Sequence, residues 1–219
     1  MYDRNQIFAD RAEAGRRLAA RLRAMNLDKP IVLALPRGGV PVGYEIARDL
    51  TAPLDVLLVR KIGAPGHEEF ALGAVVEAKR PIVVLNEAVP ARFMPHIKEA
   101  AALQALEIER RQQAYRGGRS LADVAGRTAI VVDDGIATGA TFRAALEAMK
   151  QMDAANVVAA IPVAPAESLP AVDELADEVV CLATPEPFYA VGLHYGDFSQ
   201  TTDEEVLDLL QQAKAFEPV

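Results

Sequence analysis

The sequence predicts an α/β fold, with a mostly parallel central sheet and helices packed on its flanks. Two observations carry this. Short, uniformly apolar runs recur along the chain, among them IVLAL, IVVL and AIVV, and a strand apolar on both faces belongs in a sheet covered on both sides. Between most of these runs lie longer segments of helical composition and spacing, so strands and helices alternate as they do in parallel crossover units.

In order, Phe8 to Met25 (FADRAEAGRRLAARLRAM) has helix-forming composition with apolar residues at helical spacing. Ile31 to Leu35 is a buried strand stopped by Pro36, PRGGV is a loop, and PVGYEIARDL is a helix. Leu54 to Val59 (LDVLLV) is the next strand. It runs into RKIGAPGHEEFALG, whose Gly, Pro and charge predict a mobile loop, and Ile82 to Leu85 is a third strand. Arg92 to Arg111 is a long helix, broken near YRGGRS by Gly117 and Gly118. Ala129 to Val132 is a strand, Thr141 to Met152 a helix, and Val157 to Ile161 and Val179 to Leu182 are further strands. Asp203 to Ala215 is an amphipathic closing helix with acids in its first turn, where the macrodipole favours them.

At 219 residues the chain is long enough to bury a core without staples, and it reads as one domain over residues 1–219. The net charge of −8 argues against broad nucleic-acid binding, which depends on neutralising phosphates, but it leaves room for a local cationic pocket. A single cysteine, Cys181 in the run VVCLA, excludes an internal disulfide and reads as a small core residue. The polar N-terminus lacks a signal peptide's apolar segment, and no apolar run reaches the ~18 residues of a membrane span, so a cytoplasmic protein is expected. Three scattered histidines and one cysteine do not make a zinc site.

In a parallel sheet, ligands sit at the carboxyl ends of the strands, so the chemistry is sought in PRGGV, RKIGAPGHEEF and DDGIATGAT. Asp133 and Asp134 follow an apolar strand, where unpaired charge is costly. A sugar diol or a hydrated divalent cation would satisfy them. Gly135 and Gly139 with Thr138 and Thr141 form a loop whose amides, at the start of a helix, favour a phosphate. Acids for a diol beside amides for a phosphate describe a ribose 5-phosphate site. The alternative is a capped strand-to-helix turn, in which the same residue types are common. PRGG alone reads as a tight turn, but with Arg37 as a forked cation beside Gly38 and Gly39 it also suits a bulky anion. Arg60 and Lys61 are either ligand-facing cations at the end of the LDVLLV strand or solvated charges.

VVDDGIATGAT resembles the phosphoribosyl-pyrophosphate (PRPP) motif of the type I phosphoribosyltransferases: apolar residues, two acids, then a TG-x-T phosphate loop. LPRGGVPVGYEIA resembles that family's pyrophosphate loop. From FADRAEAG through RKIGAPGHEEFALGAV to FYAVGLHYGDF, the chain is similar to a bacterial subgroup of phosphoribosyltransferase-domain proteins of unsettled substrate. Some members are joined to a hydrolase domain, for which 219 residues leave no room.

The resemblance implies the type I phosphoribosyltransferase fold with a small hood, whose candidates are the N-terminal helix and roughly residues 184–200. It implies that Asp133 and Asp134 hold the ribose hydroxyls directly or through Mg²⁺, and that Ala137, Thr138, Gly139, Ala140 and Thr141 wrap the 5-phosphate. It implies further that Arg37, Gly38 and Gly39, with Arg60 and Lys61, hold pyrophosphate, and that the loop with Gly63, Pro65 and Gly66 is a lid. The expected activity is transfer of a 5-phosphoribosyl group from PRPP, the co-substrate, to a nitrogenous acceptor such as a nucleobase, as in purine salvage, with Arg37, Lys61, Asp133 and Asp134 catalytic. A homodimer is usual for the fold. The position that holds an acid in 6-oxopurine enzymes is Ala137 here, closer to the adenine type. Phe188 and Tyr189 are candidates to stack on a base, or they pack the C-terminal segment onto the core. Glu68, Glu69, His194 and Asp197 are acid–base candidates. Arg110, Arg111, Arg116 and Arg119 read first as a solvated helix face, then as a subunit interface, and last, given the overall acidity, as a nucleic-acid patch. The rival to an enzyme is a PRPP- or nucleotide-binding regulator, which needs only the phosphate loop and the two aspartates.

Overall fold

A computed structural model of the chain describes residues 6–86 and 89–216, without the side chains of Glu68 and Glu69. The order is α1 (Arg11–Arg23), β1 (Pro30–Ala34), α2 (Gly39–Leu50), β2 (Leu54–Val56), β3 (Val59–Ala64), β4 (His67–Val76), β5 (Ile82–Leu85), α3 (Met94–Arg116), β6 (Thr128–Val132), α4 (Ala140–Gln151), β7 (Asn156–Val163), α5 (Leu169–Asp173), β8 (Glu178–Ala183) and α6 (Asp203–Ala213).

The central sheet is parallel throughout, in the order β2-β1-β6-β7-β8. Ile31 lies opposite Ala129, and Ala129 opposite Val157. Alternate residues of β1 serve opposite layers, as a strand's two-residue period requires. Val32 and Ala34 belong to the cluster of Leu18 and Leu22 from α1 and Ile46 from α2. Ile31 and Leu33 belong to that of Phe142 and Leu146 from α4 and Val172 from α5. From β1 the sheet grows one way to β2 and the other way from β6 to β8. The switch point therefore lies between β1 and β6, where open α/β sheets bind ligands, and the loops leaving these two strands are PRGG and DDGIATGAT.

The segment RKIGAPGHEEFALG departs from the expected mobile loop. It forms two antiparallel strands, β3 and β4, and β5 adds to them as a separate three-stranded sheet instead of joining the parallel one. The reason is burial at spaced positions: Ile62, Leu72 and Val75 are buried, while the Pro and Gly serve a single turn in which Gly66 has φ 74°. Gly73 lets β4 approach β5, since a Cβ there would sit 2.3 Å from the Val84 carbonyl oxygen. Consequently β2 ends at Val56, and Arg60 and Lys61 lie within β3, not at the end of a central strand.

Arg116 is a second departure. It is buried, not solvated, and ties the end of α3 to both sheets. Its guanidinium reaches Asp55 of β2 at 3.2 Å and also pairs with Glu77, which follows β4 and accepts from Gln112 Nε2 at 2.6 Å. The two carboxylates offset the cost of burying this cation. Arg110 and Arg111 stay at the surface and pair with Glu107, whose carboxyl their hydrogen bonds lower to about 2. The short helix α5 was not expected, because five residues are too few to establish a helical period.

Candidate functional site

The first two loops interlock at the switch point. A Cβ on Gly38 would lie 2.0 Å from Asp134 Oδ2, and one on Gly39 would lie 2.7 Å from the Val132 carbonyl oxygen. Gly38 has φ −62°, so its need for glycine is steric and comes from the acid pair packed on it. The Pro36–Arg37 peptide bond in this loop is cis. Gly38→Ala is expected to push the Asp134 carboxylate aside. An overpacked site of this kind costs about 1–3 kcal/mol, which a thermal melt would read as a drop of roughly 2–12 °C for a chain of this size.

Asp134 is held from several directions. Arg11, the first residue of α1, donates from Nε to Asp134 Oδ2 at 2.8 Å. Its Nη1 donates to the Ser199 carbonyl at 2.7 Å, and its guanidinium lies 3.9 Å over the Phe198 ring centre. The Tyr195 hydroxyl donates to the Asp134 backbone carbonyl. Asp133 Oδ1 accepts from the Asp134 amide at 2.9 Å. Burial, followed by the charge of Asp134, pushes the Asp133 carboxyl well above the ordinary carboxylate range. Burial raises Asp134 too, although Arg11 pulls it the other way. The pair is thus asymmetric: Asp134 has a fixed cation, and among the described residues Asp133 forms no ion pair of its own.

The phosphate-loop candidates follow directly. Ile136 is buried and anchors the loop, its amide donating to the Val163 carbonyl at 3.1 Å. Ser168 Oγ donates to the Ala137 carbonyl at 2.7 Å. Gly139, at φ 69°, takes the left-handed turn that starts α4, and no side chain caps this helix. The first amides of α4, at Ala140 and Thr141, are left free of intrahelical partners, which is the arrangement an anion requires.

The remaining candidates are dispersed. Arg37 lies 3.8 Å from Asp203 at the start of α6, beside Tyr115, whose hydroxyl is raised to about 12 by burial and by Asp203. Arg60 donates to Gln104 of α3 at 3.0 Å. Lys61 lines a large cavity together with Thr138. Phe188 packs against His194 at 5.1 Å between ring centres, and His194 is buried. Tyr189 is 76% exposed. Val191, two residues on, sits where a Cβ on Gly135 would meet it at 2.5 Å, which brings this segment beside the acids. Asp197 is held low by its hydrogen bonds with Ser199 and is a weak base. The side chains of Glu68 and Glu69 lie outside the described residues.

Among the described residues no group of three or more His, Cys, Asp or Glu side chains could hold a metal, and no helix is long and apolar enough to cross a membrane. Arg11 and Tyr195 were missed as site residues. A signal for Arg11 existed: a cation in a helix's first turn opposes the macrodipole, so a distant acid is a reason for its presence there.

The family model described as phosphoribosyl transferase domain matches residues 3–195. Two relatives from Mycobacterium tuberculosis strains, each named "Putative phosphoribosyl transferase", are 46% identical over 214 residues, covering 95% of this chain. The chain spans about half the length of these curated relatives, 47%. The crystal structure of TT1426 from Thermus thermophilus superposes with a TM-score of 0.82 at 43% identity, covering 94% of this chain and 98% of that one.

Proposed function

The chain belongs to the phosphoribosyl transferase domain family, and from that premise we propose that it transfers a 5-phosphoribosyl group from PRPP to a nitrogenous acceptor and releases pyrophosphate. The observation that carries the proposal is the interlock of PRGG and DDGIATGAT at the switch point of a parallel sheet, with a raised carboxyl on Asp133, which has no ion pair among the described residues, ahead of the uncapped start of α4.

In this reading the amides of Thr138 to Thr141 and the Thr138 and Thr141 hydroxyls take the 5-phosphate. Asp133 accepts hydrogen bonds from the ribose diol, which offsets the cost of its burial. Asp134, already occupied by Arg11, holds the pyrophosphate loop in register through Gly38. Arg37 swings from Asp203 toward the departing pyrophosphate, where a forked cation stabilises growing charge. The amides of Gly38 and Gly39 face the same group. Attack by the acceptor nitrogen on the anomeric carbon breaks the bond to pyrophosphate, and positioning with electrostatic stabilisation supplies most of the rate. Mg²⁺, if bound, would be held by Asp133 and the substrate's own phosphates and would neutralise the leaving group.

The acceptor is a flat nitrogen base, purine-like, stacked on Tyr189 at the rim of a hood formed by the N-terminal helix and roughly residues 184–200. Ala137 leaves no acid in the phosphate loop to serve as base, which favours adenine over a 6-oxopurine. We place the enzyme in the cytoplasm as a homodimer.

The test is calorimetric titration with PRPP, with and without Mg²⁺, on the wild type and on Asp133→Asn/Asp134→Asn. Binding lost in the double variant is the expected outcome, followed by pyrophosphate release in a screen of bases, amines and water. A folded wild type that does not bind PRPP refutes the proposal.

A further inference from the structure

On the far side of the phosphate loop lies a cavity of about 1220 Å³, larger than the roughly 300–1,000 Å³ of ordinary small-molecule sites. Its walls come from three places. Lys61 of β3 and Phe70 of β4 form one, Arg92 and Phe93 before α3 another, and Thr138 with Arg143 at the start of α4 the third. Among the described residues Asp133, Asp134, Arg37 and the 184–200 segment do not line it, so it is not the space in which the sugar or the acceptor would sit.

Its charge is unusual for this chain. The protein carries a net charge of −8, yet the described lining holds three permanent cations and no carboxylate. None of Lys61, Arg92 and Arg143 pairs with a described acid. Arg143 Nε is buried without a hydrogen-bond partner, which is costly unless something arrives to accept from it. The aromatic walls are also incompletely used: Phe70 is 66% exposed, a large apolar ring turned to solvent. Cations without a counter-charge among the described residues, converging on one space, favour an anion of several charges. The exposed Phe70 ring favours a flat, polarisable body, whereas Phe93 is half-buried and has the Arg92 guanidinium 4.9 Å over its ring centre. A single phosphate would satisfy the first feature but would fill little of the volume.

We propose that this cavity binds an aromatic polyphosphate of the nucleoside di- or triphosphate class, at a site separate from the sugar acids but sharing Thr138 and Ala140 with the phosphate loop and Lys61 with the expected pyrophosphate residues. Arg92 and Arg143 take the phosphates with Lys61, and the base lies on the exposed Phe70 ring. The site stands on its own lining, and only its neighbour, the sugar-phosphate cradle, rests on the proposed function.

The test is calorimetric titration of the whole chain with ATP in buffer free of divalent metal, alongside inorganic tripolyphosphate and adenosine as partial ligands. ATP is expected to bind one to one, and each partial ligand at least tenfold more weakly. Arg92→Glu and Phe70→Ser change exposed side chains, so both variants should melt as the wild type does. Each is expected to lower ATP affinity at least tenfold while leaving PRPP binding unchanged, and Asp133→Asn should do the reverse. Absence of ATP binding at millimolar concentration overturns the proposal. So does ATP binding that survives Arg92→Glu and Phe70→Ser, because the nucleotide would then sit elsewhere. A wild type that binds ATP in this cavity-dependent way but ignores PRPP would remove the transferase reading and leave this site standing.

Discussion

Replacing Arg11 with methionine is expected to lower both the stability of the protein and its affinity for PRPP, and to raise its affinity for divalent metal. The Arg11 and Asp134 side chains are only 12% and 15% exposed, so the pair is largely out of water. Removing one partner of a buried pair strands the other charge at a cost of about 3–5 kcal/mol. The residual exposure and the packing that methionine retains on Phe198 put the expected loss at the low end, about 3 kcal/mol. For a chain of this size that is a fall of roughly 6–12 °C in Tm. Stability alone would not show a role in the site, so the metal arm decides. With Arg11 present the acid pair carries one net negative charge when both acids are ionised, and without it two. Titration with Mn²⁺ in the absence of PRPP should therefore show tighter binding in Arg11→Met than in the wild type. Arg11→Lys keeps the charge but loses the fork that reaches Ser199, so it should restore the weak metal affinity and only part of the Tm. Equal Mn²⁺ and PRPP affinities in wild type and Arg11→Met would reduce Arg11 to a structural tie between α1 and the acid loop.

Asp133→Asn is expected to abolish PRPP binding and stabilise the unliganded protein at neutral pH. Burial and the neighbouring Asp134 raise the folded-state pKa of Asp133 above its ordinary value of 3.8. Between those two values the folded state binds more protons than the unfolded state. Stability from this group is therefore present at low pH and declines as pH rises through that window, then levels off above the folded-state pKa. Asparagine has no proton to lose, so the variant lacks this decline. Thermal melts from pH 4 to 8 should show the wild type losing ground to Asp133→Asn as pH rises. A variant less stable than the wild type across that range would mean that Asp133 is compensated by a contact not among those described. A gain in stability joined to a loss of binding is the expected signature of a carboxylate kept for a ligand and not for the fold.

Much of the architecture was legible because it is written in short stretches. IVLAL, AIVV and NVVAAIPV are apolar at nearly every position, and this marks strands buried on both faces wherever the chain carries them. The two loops that meet at the switch point could be picked out by residue type, since glycines, hydroxyls and acids after a buried strand mark either a ligand loop or a capped turn, and two such loops in one parallel sheet favour the ligand. The β3–β4 hairpin was misread for the complementary reason. Its glycines, proline and charges outweighed a strand signal that depends on Ile62, Leu72 and Val75 finding burial against other elements. Arg116 was misread because the run RRQQAYRGGRS is polar almost throughout, and nothing within it reveals that Asp55 and Glu77, 61 and 39 residues earlier, meet the guanidinium in the interior.

What the sequence by itself determined is the parallel sheet, its alternating helices, and the residue types delivered to its ligand edge. The tertiary structure alone decided how those residues divide their work: that Gly38 is a seat for Asp134, that Arg11 pairs with one acid and not with the other, and that Lys61 faces a cavity beyond the phosphate loop. The reason is range. Helix and strand preference arises among residues a few positions apart, whereas Arg11 and Asp134 are separated by 123 positions, and only the packed fold brings the one to the other.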